Sequence, residues 1–298
     1  MVVGTLINGG ITYRTAKNRF RWLSTSSESL ASEHSSIKIS TPLFIWALVN
    51  RLIASSELLL IAYLVSSAEV ASFTFTTFVL QFALAICQLA TSAMTPKLGA
   101  TLSSGKVDVA LRMLIEMRQL NLFLASTFTL GYLIFNEWFV KVWAGDSYFL
   151  GNEFNLWMSL SFFQLALLRV DAQIQDTTLK VRAKAVLGSI SIMASLFGGV
   201  VGYGITGKTS GIIFGVIVGR MVMSIGFPIL VKVTTKTSAW PVYRLLGLLP
   251  IFLSWIVVSK FVQDAGFLAM SLMFCTLSCI AFFVTMDASC RSKILRTK

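Results

Sequence analysis

Five charged side chains stand inside long apolar runs of this chain: Arg51, Glu57, Arg169, Asp171 and Arg220. An ionised group in a hydrocarbon setting must find a partner, water or a ligand. Arginine keeps its proton, and its planar fork matches the oxygens of a phosphate. Three arginines against two carboxylates leave positive charge in excess. The chemistry to expect is therefore the holding of an anionic group, not bond making or breaking. Arg51 and Glu57 are six residues apart and Arg169 and Asp171 two apart, so neither pair shares a helix face. Each charge needs a partner from another helix or from a ligand. Glu57 and Asp171 are the candidates within these runs to carry a coupling ion or proton, or to pair with an arginine. At about 1.5 Å per residue, Arg51 and Arg220 fall near the middle of their runs and Arg169 roughly 10 Å from an end. Amides recur beside them: Gln81 and Gln88 with Thr74, Thr77 and Ser92 on one run, and Gln164 with Asp171 and Gln175 on another. The bland alternative is a set of interhelical ion pairs serving assembly, with Arg169 snorkelling to an interface.

Other chemistries find little support. Cys87, Cys275, Cys279 and Cys290 lie in or beside apolar runs, and the single histidine, His34, is far from them, so no metal site is expected. No glycine-rich nucleotide-binding loop is present, so no cofactor and no ATP hydrolysis are expected. A membrane glycosyltransferase or ligase would need paired carboxylates in sizeable external loops. Asp146 and Glu153, seven residues apart, are a weak signal for that, and the chain is read as not an enzyme.

Hydrophobic residues make up 55% of the chain and charged residues 13%, whereas a soluble domain is nearer a quarter charged. This predicts an all-α integral membrane protein. Eight spans are predicted at about 42–64, 70–94, 120–140, 154–176, 184–204, 210–231, 242–262 and 265–286. Nineteen lysines and arginines fall on one side of that arrangement, with Arg118 counted in the connection between the second and third spans and Lys184 in that between the fourth and fifth. Three (Lys141, Lys208 and Lys260) fall on the other, and Arg51, Arg169 and Arg220 lie within spans. By the positive-inside rule both termini are cytosolic. The net charge of +12 then belongs to topology and anionic membrane lipids, and no nucleic-acid partner is needed.

Residues 1–41 read as a partial helix end, too short for a signal peptide, followed by a flexible basic and Ser-rich cytosolic segment. Residues 42–235 form a six-span lobe. Within it, residues 106–119 alternate apolar and charged positions at helical spacing, which predicts an amphipathic helix in the headgroup plane. Residues 236–286 supply two additional spans and 287–298 a basic cytosolic tail. Gly211, Gly215 and Gly219 at four-residue intervals, with Gly198, Gly199 and Gly202 on the preceding run, predict close helix packing.

The first hairpin, its exit at Pro96-Lys97-Leu98, the following SSGKVDVALRMLIEMRQLN and the turn Trp143-Ala144-Gly145-Asp146-Ser147-Tyr148 resemble the second half of a polysaccharide flippase. That family belongs to the superfamily that also holds multidrug exporters and lipid II flippases. The resemblance covers roughly residues 40–235 and implies the C-terminal lobe only, since family members carry two such lobes. It implies translocation of a lipid-linked oligosaccharide, of polyprenyl pyrophosphate type, across a bacterial cytoplasmic (inner) membrane for O-antigen or other surface polysaccharide. Arg51, Arg169, Arg220, Gln81, Gln88 and Gln164 would line the substrate cavity. A second lobe or a homodimer would complete it, and a truncated, inactive remnant is the other expectation. The alternatives are a multidrug exporter of the same superfamily and a non-transporting assembly subunit of a polysaccharide export complex.

Overall fold

The structure, a computed structural model, describes residues 30–177, 181–235 and 267–286. The expected N-terminal segment up to residue 29, the span at 242–262 and the basic tail lie outside the described residues. The chain divides into two units, Met1–Phe44 and Ile45–Lys298, and the bundle is the second. Its elements are α1 (Leu30–Leu64, contributing from Ile45), α2 (Ser67–Ser92), α3 (Thr95–Ser103), α4 (Val107–Trp143), a 3-10 turn (Asp146–Tyr148), α5 (Asn152–Thr177), α6 (Val181–Thr206), α7 (Thr209–Thr235) and α8 (Phe267–Thr285). No strand occurs among the described residues.

Five stretches are long and apolar enough to cross a membrane: Thr41–Leu64, Ser67–Ser103, Val181–Thr206, Thr209–Val233 and Leu268–Thr285. The protein is thus an α-helical membrane protein. The predicted spans at 120–140 and 154–176 fall in α4 and α5, which are long helices of lower hydropathy. Their polar side chains are the reason, and those side chains are buried: Arg118, Asn121 and Asn136 on α4, Asn155, Asp171 and Gln175 on α5. α4 and α5 are the interior helices of the bundle.

Two boundaries differ from the sequence reading. α1 begins at Leu30, inside the stretch expected to be flexible to residue 41; once a span has nucleated a helix, each added residue costs little. The expected headgroup-plane helix at 106–119 is instead the first third of α4, which continues unbroken to Trp143. Its apolar stripe packs on protein: Ala110, Met113, Leu114 and Met117 form one cluster with Leu98, Val170, Ile174 and Val231. The outward positions are exposed and are mixed in character: Val107, Asp108, Val109, Arg112 and Ile115.

Local signals explain the remaining breaks. Ser66 caps α2, its Oγ accepting from the Glu69 amide at 3.2 Å, which satisfies an otherwise orphaned donor. Gly207 takes φ 65° at the α6–α7 turn, a left-handed position that suits glycine. α6 and α7 meet backbone to backbone. A Cβ on Gly215 would collide with the Gly198 carbonyl, and one on Gly202 with that of Gly211. This is the close packing expected of the glycine ridge.

The turns after α1, α4 and α6 share one end of the bundle. Thr209 Oγ1 donates to Glu69 Oε2 at 2.6 Å, Ser210 Oγ to Glu153 Oε1 at 2.9 Å, and Thr76 Oγ1 to the Tyr148 carbonyl at 3.0 Å. These are connections in which basic residues are sparse.

Candidate functional site

α7 carries Arg220 to a position with 0% exposure between α1 and α5. Its Nη1 donates to Glu57 Oε1 at 2.8 Å and to Ser161 Oγ at 2.7 Å. Its Nη2 donates to the Ile53 carbonyl at 2.9 Å and to Ser56 Oγ at 3.2 Å. Ser161 Oγ in turn donates to Glu57 Oε1 at 2.6 Å. Three helices are fastened at one guanidinium. Arg220, expected among the cavity residues, is the buried counter-charge of Glu57.

Beside this clamp lies a cavity of about 390 Å³. α1 contributes Arg51 and Glu57 to its wall, α2 Gln81 and Gln88, and α5 Ser161 and Arg169. The spacing produces the lining: Thr77, Gln81 and Gln88 on α2, and Met158, Phe162, Leu165 and Arg169 on α5, each recur at three, four or seven residues and so share a face. Arg51 is exposed and makes no ion pair among the described residues. Arg169 donates from Nη1 to Gln88 Oε1 at 2.6 Å, and its buried Nε has no partner. Glu57 is already neutralised by Arg220. The cavity therefore carries two arginine charges that no carboxylate answers.

Two of the sequence-predicted residues lie elsewhere. Gln164 bridges α5 to α7, its Nε2 donating to the Ile217 carbonyl at 3.1 Å and Ser224 Oγ at 2.9 Å. Asp171 receives Arg118 Nε at 2.9 Å and Nη2 at 2.6 Å, with both side chains under a tenth exposed. As a committed partner of Arg118 it stands apart from the cavity. Sequence reasoning assigned Arg118 to a cytosolic connection. Its position in the series Leu114, Arg118, Asn121 and Ala125, on the apolar stripe of α4, was the signal that placed it inside. Lys184, also assigned to a connection, has 0% exposure. Its Nζ reaches Asp176 Oδ1 at 2.6 Å and the Ala172 carbonyl at 3.0 Å, and stands 4.1 Å from the Trp46 ring centre. It sits on the inward face of α6 with Val181, Gly188 and Ser191.

No cluster of metal-ligating side chains occurs among the described residues. Comparisons with protein-family models, with curated proteins and with solved structures find no match.

Proposed function

We propose that this bundle is one lobe of a lipid-linked oligosaccharide flippase, in which Arg51 and Arg169 hold the pyrophosphate of the substrate while its polyprenyl tail stays in the bilayer. The observation that carries this reading is the charge balance of the cavity. Of the arginines that the bundle buries or places on its cavity, Arg220 is spent on Glu57 and Arg118 on Asp171. Arg51 and Arg169 remain, unpaired by any carboxylate, on the wall of a cavity of about 390 Å³. A guanidinium fork binds phosphate oxygens bidentately. A cavity of this sign disfavours cationic drugs, which sets the multidrug reading second. The substrate class and the placement in a bacterial cytoplasmic membrane rest on the resemblance of residues 40–235; the eight spans and cytosolic termini rest on hydropathy and the division of basic residues. The exposed position of Arg51 supports completion of the cavity by a second lobe, from another polypeptide or a second copy.

The test is export of lipid-linked sugar in a complemented or reconstituted system that supplies the second lobe. Arg51→Lys keeps the charge and loses the fork, and Arg51→Ala loses both. Export falls in the order wild type, Lys, Ala, with the alanine variant down about tenfold to a hundredfold, as loss of a hydrogen bond to a charged group implies. Unchanged export by a well-expressed Arg51→Ala, Arg169→Ala double variant overturns the reading.

A further inference from the structure

We infer that Gln88 is a positioning residue that keeps the charge of Arg169 available to an anionic ligand. This rests on the reading of the cavity as a pyrophosphate site and assigns its control. The three best-buried arginine arrangements of the bundle differ in what they face. Arg118 gives its Nε and Nη2 edge to a carboxylate. Arg220 gives both terminal nitrogens to a carboxylate, two hydroxyls and a carbonyl. Arg169 gives Nη1 alone, to a neutral amide oxygen at 2.6 Å. Its buried Nε, on the edge that Arg118 uses on Asp171, has no hydrogen-bond partner among the described residues.

An amide oxygen is a neutral acceptor, so it fixes a guanidinium without cancelling its charge. A glutamate at position 88 differs from glutamine by little in shape and would form a further arginine–carboxylate pair, beside Arg118–Asp171 and Arg220–Glu57. An apolar side chain would leave the charge but release its orientation. Behind Arg169 is a crevice lined by Cys87, Thr91 and Asn121 that is too narrow for water. The crevice therefore supplies no water to the unpaired Nε, and the charge of Arg169 stays uncancelled on the cavity wall. Gln88 thereby keeps the charge of Arg169 in the cavity and sets the direction in which its fork is held.

The experiment measures binding of inorganic pyrophosphate and, in a second arm, of farnesyl pyrophosphate, to the full-length protein in nanodiscs. The wild type is compared with Gln88→Glu, Gln88→Met and Arg169→Ala, with a thermal melt on each. Gln88→Glu is expected to weaken both ligands about tenfold or more, matching Arg169→Ala, and to flatten the salt dependence of binding because one free charge is lost. Gln88→Met keeps volume and charge; it is expected to weaken binding only about threefold and to retain the salt dependence. A merely structural glutamine would lower melting temperature and leave the salt dependence alike in both variants, which overturns the inference. Wild-type binding by Gln88→Glu beside weak binding by Arg169→Ala also overturns it, with the site intact. If Arg51→Ala and Arg169→Ala both bind as the wild type does, the pyrophosphate site itself is wrong and the inference falls with it. Weakening in the farnesyl arm alone identifies the lipid-borne form as the ligand; weakening in both identifies the pyrophosphate group.

Discussion

At residue scale the bundle separates charges that hold it together from charges that it leaves open. Breaking a buried ion pair by removing one partner strands the other at a cost of about 3–5 kcal/mol. Arg220→Ala, which leaves Glu57 buried without its counter-charge, should lower the yield of monodisperse protein in detergent severely. The double variant Arg220→Gln, Glu57→Gln should recover much of it, because two neutral amides can share the same hydroxyls. Arg51→Ala should leave that yield unchanged, since Arg51 is exposed and makes no ion pair among the described residues. Fluorescence-detected size exclusion separates these outcomes. The charged residues within spans were legible in the sequence as a set, because charge in an apolar run is visible without a structure. Which arginine met which carboxylate was not legible. That pairing depends on helix neighbours separated by 53 residues for Arg118 and Asp171 and by 163 for Arg220 and Glu57.

At the scale of elements, five stretches long and apolar enough to cross a membrane were legible from hydropathy, and the α6–α7 contact from glycine spacing. The first third of α4 was read as a separate helix for a physical reason. A helix with one apolar and one charged face buries its apolar face equally well in a headgroup layer or on a protein, and periodicity is the same in both. Cysteine accessibility distinguishes them: in a cysteine-free background, Met117→Cys, at 0% exposure, should resist a membrane-impermeant maleimide, while Arg112→Cys should react. Labelling at both positions would return the helix to the headgroup plane. At the glycine contact, Gly215→Leu must drive a side chain into the Gly198 backbone. Overpacking of this kind costs about 1–3 kcal/mol or more, and a lowered melting temperature should report it. Gly204→Leu, where a Cβ meets nothing, should melt as the wild type.

At the scale of the whole molecule, the turns around Ser66, Asp146 and Gly207 share one end. Reporter fusions should place Asp146 and Gly207 outside and Gly105 in the cytosol, following the division of basic residues. A cytosolic Asp146 would redraw the third and fourth spans. Arg118 and Lys184 were counted toward the cytosolic side and are buried in the bundle. The asymmetry persists without them, because seventeen basic residues still oppose three.

The clamp at Arg220 also bears on how the chain is made. Glu57 leaves the ribosome 163 residues before the arginine that neutralises it. At about 5–20 residues per second that is an interval of roughly ten to thirty seconds. Throughout it Glu57 lacks the arginine that it meets in the folded bundle, and Ser161 arrives only part-way through. The assembly is thus unfinished, in the electrostatic sense, until α7 enters the membrane. A synthesis product that ends in α6 would present that lone carboxylate to the quality-control proteases of the membrane, and its lifetime would be set by them.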